Sequence, residues 1–471
     1  MTLLLALLAC REPEQVTLGG RSASVAVTLL NPTQCNQCDP WRGVETLRVR
    51  VLAGADVIAE ATFPREGDLV LPDLPGFGVV RVELEGLGGG QVRSAGRSAE
   101  VVLGPDVVAE APMVFLPVNR ALPLKGAMGS QRSGHLALTL RDGRVALMGG
   151  ESPDRARSFP TAELFDPGTG TFAPSESPLP AGVADPSVTE LDDGGWLVAG
   201  GRARTRNGAV AVRDAWLVDV EDAAVTAVGD LNVARAGGCL ARFRERQGVA
   251  FGGADGDVAD YLKPVDGSWA FDAVPIRDFA PAAVDTCFAL DDGHVLVLGE
   301  DPASTGIWAP VEGGDPGASF RPFQTGQAGA LRHVSGATVV PVLRGAWVVG
   351  GVEEGSVQPV ATTRIYDAEG GRFEEGPTLA TARVRPQVVP LGSDGVMVVG
   401  CGEDDAGATE LVDLRAGNRL PVIAMDRARP GCTISVLDDG SVLFAGGWGA
   451  GGGSSAPAAT AALAVPWLVR E

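Results

Sequence analysis

Val145-Ala146-Leu147-Met148-Gly149-Gly150 and Trp196-Leu197-Val198-Ala199-Gly200-Gly201 carry one pattern, an apolar run of strand character that stops on paired glycines. The pattern returns as Val249-Ala250-Phe251-Gly252-Gly253 and, degenerate, as Val295-Leu296-Val297-Leu298-Gly299-Glu300. Trp347-Val348-Val349-Gly350-Gly351, Met397-Val398-Val399-Gly400-Cys401 and Leu443-Phe444-Ala445-Gly446-Gly447 complete a set of seven. From first glycine to first glycine the steps are 51, 52, 47, 51, 50 and 46 residues. A period of this size marks a supersecondary unit that is copied and stacked.

The flanks repeat as well. Upstream of each run lies a second β-prone stretch, such as His135-Leu136-Ala137-Leu138-Thr139-Leu140, joined to it by a tight turn. Five of the seven turns hold Asp-Gly, at Asp142-Gly143, Asp193-Gly194, Asp292-Gly293, Asp394-Gly395 and Asp439-Gly440. That dipeptide suits a type I′ hairpin, whose two central residues need positive φ. Downstream, Phe165 and Phe172 bracket a further turn, as do Tyr366 and Phe373, and as Leu262 and Trp269 do. A linker with an arginine then leads into the next unit: Met128 with Arg132, Leu231 with Arg235, Leu379 with Arg383, Met425 with Arg429.

This layout resembles the bacterial kelch repeat over Asn119 to Val469. The resemblance implies that each unit is a four-stranded blade and that seven blades close into a β-propeller of the galactose oxidase-like superfamily. Paired glycines then fall where backbones crowd and a Cβ has no room. The linker arginines are expected to hydrogen-bond between blades. For the last blade, Thr460–Val465 reads as the third strand, and its outer strand is either Trp467–Val469 or Arg120–Leu124.

Residues 14–118 lack the glycine anchors but alternate with period two, as in Leu47-Arg48-Val49-Arg50-Val51 and Val79-Val80-Arg81-Val82-Glu83-Leu84. Such alternation marks half-buried strands, and about a hundred residues of them suit one small β-sandwich. Leu69-Val70-Leu71-Pro72-Asp73-Leu74-Pro75-Gly76 followed by a strand looks like the immunoglobulin-like or carboxypeptidase-regulatory-like modules of secreted proteins. The expected fold is therefore all-β: an immunoglobulin-like sandwich over 14–118, expected to act as a spacer between membrane and ring, then a seven-bladed kelch-type propeller over 119–471. Composition agrees. Gly (65) and Pro (33) form about a fifth of the chain, against about an eighth usually. Lys plus Arg number 38 and Asp plus Glu 59, a net charge of −21. Nucleic-acid phosphates and anionic headgroups repel such a surface, so no nucleic-acid partner is expected.

Leu3 to Ala9 is a short apolar run, ended by Arg11, Glu12 and Pro13 and far below the roughly 20 residues that span a bilayer. Its end, Leu7-Leu8-Ala9-Cys10, resembles the lipobox of bacterial lipoproteins. The resemblance implies a signal peptide at 1–9, lipidated Cys10, a tether over 10–13, and a place in the bacterial cell envelope, anchored to the outer membrane through the N-terminal lipid. Six cysteines then remain in a disulfide-permissive setting. Cys35 and Cys38 read as a local C-x-x-C disulfide rather than a zinc or thioredoxin-type site, since neither a second pair nor a βαβ context accompanies them. Cys401 ends a second strand and Cys432 begins the next inner strand, while Cys239 and Cys287 lie near adjacent inner-strand starts. Cys401–Cys432 and Cys239–Cys287 bridges, or four free buried thiols, both fit.

Chemistry is sparse. A copper radical oxidase of the galactose oxidase kind needs two Tyr, two His and a Cys about one metal. Here the tyrosines are Tyr261 and Tyr366, both on third strands. Of the histidines His135, His294 and His333, the first two fall at opposite ends of their hairpins. Ligands of one ion lie about 2 Å from it, so no metal or other cofactor is expected. Asp192-Asp193, Asp291-Asp292 and Asp438-Asp439 read as turn residues. No catalytic residue is assigned. The sequence reads as a non-catalytic module that binds or scaffolds a protein or glycan partner, with a sialidase- or epimerase-like glycan enzyme as the competing class.

Overall fold

The computed structural model describes residues 14–19, 24–33, 38–66, 74–105, 107–191, 194–242, 247–253, 258–265, 268–275, 284–290, 293–299, 304–309, 320–323, 334–343, 345–353, 355–392, 395–403, 408–425, 429–447 and 460–467. Among them there is no α-helix, so none long and apolar enough to cross a membrane. Cys10, Cys35 and His333 lie outside the described residues.

Seven sheets of four or more strands form the seven blades of a propeller. Blades 1 to 7 begin with the inner strands Ser133–Thr139, Ser187–Glu190, Cys239–Arg242, Val284–Ala289, Thr338–Val342, Gln387–Pro390 and Cys432–Val436. From blade 2 onward each inner strand touches the next, and that of blade 7 touches that of blade 1, so the ring closes. Blades 1 and 2 join through Leu136, Leu138 and Met148 against Val198 and Trp216. Period two explains the packing. In blade 1, Val145 and Leu147 face blade 7, whereas Ala146 and Met148 face blade 2. Since both faces of such a strand are covered, the run is apolar at every position, and Val145–Glu151 is buried throughout. Seven apolar clusters fill the seven gaps between blades.

The glycine pairs form the joints. The second glycine donates its N–H to a linker carbonyl of the next blade: Gly150 to Val183 at 2.7 Å, Gly201 to Arg235 at 2.8 Å, Gly351 to Arg383 at 2.8 Å and Gly447 to Arg132 at 3.0 Å. The first glycine lies under that same carbonyl. A Cβ built on Gly149, Gly200 or Gly350 would sit 2.6, 2.8 or 2.5 Å from the oxygen, and all three have φ between +67° and +71°. Gly252, Gly253 and Gly446 share the left-handed backbone.

Blade 6 corrects the expected register. Val399 pairs with Glu410 as Leu147 pairs with Glu163, so the joint falls one residue after Gly400, on Cys401 and Gly402. Cys401 accordingly has φ +57°, and Gly400 does not take positive φ. Here a disulfide from Cys401 to Cys432 links blades 6 and 7. A second, Cys239 to Cys287, links the inner strands of blades 3 and 4. Neither joint shows the glycine N–H bond among the described residues.

The linker arginines also differ from expectation. The side chains of Arg132, Arg235 and Arg383 bond within their own blade, and their backbone carbonyls reach across. Arg132 donates to Gly149 O, Thr161 O and Glu163; Arg235 donates to Gly252 O, Val258 O and Asp260; Arg383 donates to Glu410. Those carboxylates also accept linker N–H groups, from Gly129, Asn232 and Ala380. A buried guanidinium needs such a partner, and each pair clips the linker to the third strand of the blade that it enters.

The seventh blade is completed by the upstream alternative. Leu122–Ala127 pairs with Thr460–Ala464, placing a strand that precedes blade 1 outermost in the last sheet. Asn119 and Trp467 seal this closure reciprocally, Asn119 Nδ2 donating to Trp467 O at 3.2 Å and Trp467 N to Asn119 Oδ1 at 2.8 Å.

Ahead of the ring, Glu14–Gly19, Ser24–Leu30 and Val108–Val114 form one sheet, its last two strands parallel. Asp56–Pro64, Thr46–Ala53, Gly78–Gly88, Gln91–Arg97 and Leu116–Pro117 form the second, with Val101–Leu103 beside Gly78. Val25, Val27, Val49, Val51, Val82 and Met113 fill the space between. This sandwich packs directly against the ring. Ala95, Val114 and Leu116 share a core cluster with Leu124, Leu443, Leu463 and Trp467. Buried Glu85 accepts from Arg50 and, at 2.8 Å, from Trp467 Nε1. Val114 N donates to Asp439, in the Asp-Gly turn of blade 7. The sandwich therefore rests on the turn face of the ring, and the glycine-pair face points away from it.

Gly350→Ala should cost about 3 kcal/mol, combining left-handed strain with overpacking against Arg383 O. Gly417→Ala is its control: φ is +67° there too, but nothing lies within 4 Å of the added methyl. Chemical denaturation should find the control costing only about 1 kcal/mol; equal losses would deny the joint its role.

Candidate functional site

The inner strands start, and the second strands end, on the glycine-pair face, so the loops there ring the mouth of the central channel. Charged side chains from four blades gather at this rim. Arg204 Nε of blade 2 donates to Glu151 of blade 1 at 2.5 Å, and Glu151 is buried. Asp185 in the linker to blade 2 pairs with Arg202. Arg385 in the linker to blade 6 donates through Nη1 to Glu403 at 3.1 Å, and its Nη2 stands 3.7 Å from Asp285 of blade 4. Burial alone would lower Arg385, but the carboxylates of Glu403, Asp285 and Asp185 together raise it. Hydrogen bonding to Glu151 is the main reason that Arg204 is raised. The rim is thus a set of opposed charges, held largely by one another.

The joint glycines anticipated in sequence border this rim. The charged groups beside them went unassigned, although two are legible: Arg202 follows Gly200-Gly201 directly, and Asp185 precedes Pro186 at a strand start. The carboxylates that clip the linkers were also missed. Glu163, Asp260 and Glu410 each follow a small residue on a third strand, in Ala162-Glu163, Ala259-Asp260 and Thr409-Glu410.

His135 lies deeper. It is 5% exposed, its Nε2 lies 3.0 Å from Thr433 Oγ1 of blade 7, and its Nδ1 has no hydrogen-bond partner among the described residues. Desolvation, aided by the Arg132 charge, lowers its pKa from 6.5 to about 3. It sits in the closing joint as a neutral ring. His294 lies at the other end of its hairpin, where Leu290 N bonds to its carbonyl. Tyr261 donates to Gln247 at 2.9 Å, and Tyr366 is buried against Phe323 and Phe373. Among the described residues no three His, Cys, Asp or Glu side chains form a group able to hold a metal. Cys38 is buried and disulfide-bonded, next to the shared core.

No protein-family model matches the chain, and no curated protein matches it by sequence. Among solved structures it is similar to a fungal alcohol oxidase with catalytic diversity among the AA5 family, in complex with copper. The likeness has a TM-score of 0.54 at 15% identity and covers 71% of this chain and 74% of that one. It shows a shared fold. The side chains do not fit a copper centre of the Tyr, His and Cys kind, because the two tyrosines and the two described histidines occupy separate layers and ends of the blades.

The lowered pKa of His135 sets a pH dependence. Unfolding exposes a histidine that binds a proton below pH 6.5, so its contribution is complete above that value and falls as pH drops toward 3. Between pH 6.5 and 5 the loss should be about 2 kcal/mol. Denaturation of His135→Gln over the same range should lack this slope, and a slope unchanged from the parent would refute the assignment.

Proposed function

We propose that this protein is a lipid-anchored component of the bacterial envelope, and that its kelch-type ring is a non-catalytic binding or scaffolding module for a protein or glycan. The observation that carries the reading is the rim itself. Opposed, partly exposed charges suit recognition, in which a partner's polar groups exchange with standing ion pairs. The sandwich, seated on the opposite face, leaves this rim open to a partner. The enzyme alternative rests on fold likeness alone, and fold does not carry function. For the anchor, several acyl chains on Cys10 would hold the protein stably, where one chain binds only marginally.

Affinity capture from envelope extracts, using the intact chain and an Arg202→Glu, Arg385→Glu variant, tests the rim. The parent should retain a partner that the variant loses; identical capture would count against the reading. Replacement of Cys10 with Ser should release the protein from membranes into the soluble fraction, and full membrane retention would refute the anchor.

A further inference from the structure

One residue before the residue that faces the joint's first position across the hairpin (His135, Pro186, Gly238, Ala337, Pro386 and Cys432), six linkers turn through left-handed backbone, and that of blade 4 lies outside the described residues. Four of them use glycine: Gly134 at φ +60°, Gly237 at +81°, Gly336 at +69° and Gly431 at +67°. The other two use Asp185 at φ +50° and Arg385 at φ +45°. A side chain at such an angle strains the backbone where glycine does not, and residues of this kind collect at functional sites. The repeat therefore has a default at this position, and two blades depart from it with opposite charges.

Both departures face the channel mouth and both side chains are exposed. Blades 2 and 6 stand three steps apart one way round a ring of seven and four the other, on opposite sides of the mouth. Asp185 nevertheless acts on the charge of Arg385 across it. Neither side chain is used up. Arg202 occupies Oδ2 of Asp185. Glu403 occupies Nη1 of Arg385, and Asp285, at 3.7 Å, is beyond hydrogen-bond length from Nη2. Asp285 is itself engaged by Gly336 N.

We propose that Asp185 and Arg385 are the two poles of a peptide-binding site that recognises a cationic and an anionic group together, the cation on Asp185 and the carboxylate on Arg385. This rests on the rim being the binding face and names the chemistry that it reads. Charge-assisted, bidentate contact with a guanidinium gives the carboxylate end its orientation. The pole of opposite sign rejects a ligand that carries only one of the two charges.

The test uses the repeat's own default. Triglycine, N-acetyl-triglycine and triglycine amide are titrated by NMR into the full chain and into Asp185→Gly and Arg385→Gly. Triglycine should bind at least about tenfold more tightly than either singly charged form, and each glycine variant should lose about tenfold while its thermal midpoint holds or rises. Equal affinity for all three peptides overturns the proposal, and so does no binding of triglycine. Lower midpoints with affinity unchanged would make the two residues structural staples instead. If both glycine variants still capture the envelope partner that the Arg202→Glu, Arg385→Glu variant loses, the rim stands as the binding face and the two-pole site falls.

Discussion

One short hydrogen bond governs this architecture: the N–H of a strand-ending glycine meeting a carbonyl of the next blade's linker. It requires two backbones at contact distance, and that distance excludes a Cβ from the preceding residue. The seven apolar clusters between blades supply the bulk of the cohesion, but they are non-directional and would tolerate sliding. The glycine joint fixes height and angle, so that successive blades meet at matching levels around the axis. Two disulfides add covalent ties between blades, Cys401–Cys432 at the joint where a cysteine replaces the first glycine and Cys239–Cys287 between the inner strands of blades 3 and 4.

Closure extends the same logic to the chain's two ends. A strand from before blade 1 finishes blade 7, and the reciprocal pairing of Asn119 with Trp467 fastens strands about 350 residues apart. The sandwich is built into that seam, for Glu85 and Val114 hold Trp467 and Asp439 respectively. Its position on the turn face leaves the glycine-pair face free, and this is the face where Asp185, Arg202, Arg385 and Glu403 stand in the open.

The ring was legible because its signals are local and repeated seven times: Asp-Gly turns, apolar runs and glycine pairs, each with a steric cause. The register of blade 6 was not. Met397-Val398-Val399-Gly400 imitates the ending of the other runs, and only the pairing of Val399 with Glu410 reveals that Cys401 takes the first glycine's place. The linker arginines Arg132, Arg235 and Arg383 bond within their blades rather than between them, and sequence does not say whether a side chain turns back into its own blade. The rim was least legible. Asp185, Asp285 and Arg385 are about a hundred residues apart in turn, and only ring closure brings them together.

Native-state hydrogen exchange at the joint amides tests the central claim most directly. If neighbour-to-neighbour backbone bonds fix the ring, then Gly150, Gly201, Gly351 and Gly447 exchange only through global unfolding, as slowly as the core strands that they terminate. Exchange of these four amides at the rate of the exposed Asp-Gly turns, while the core strands stay protected, would contradict it.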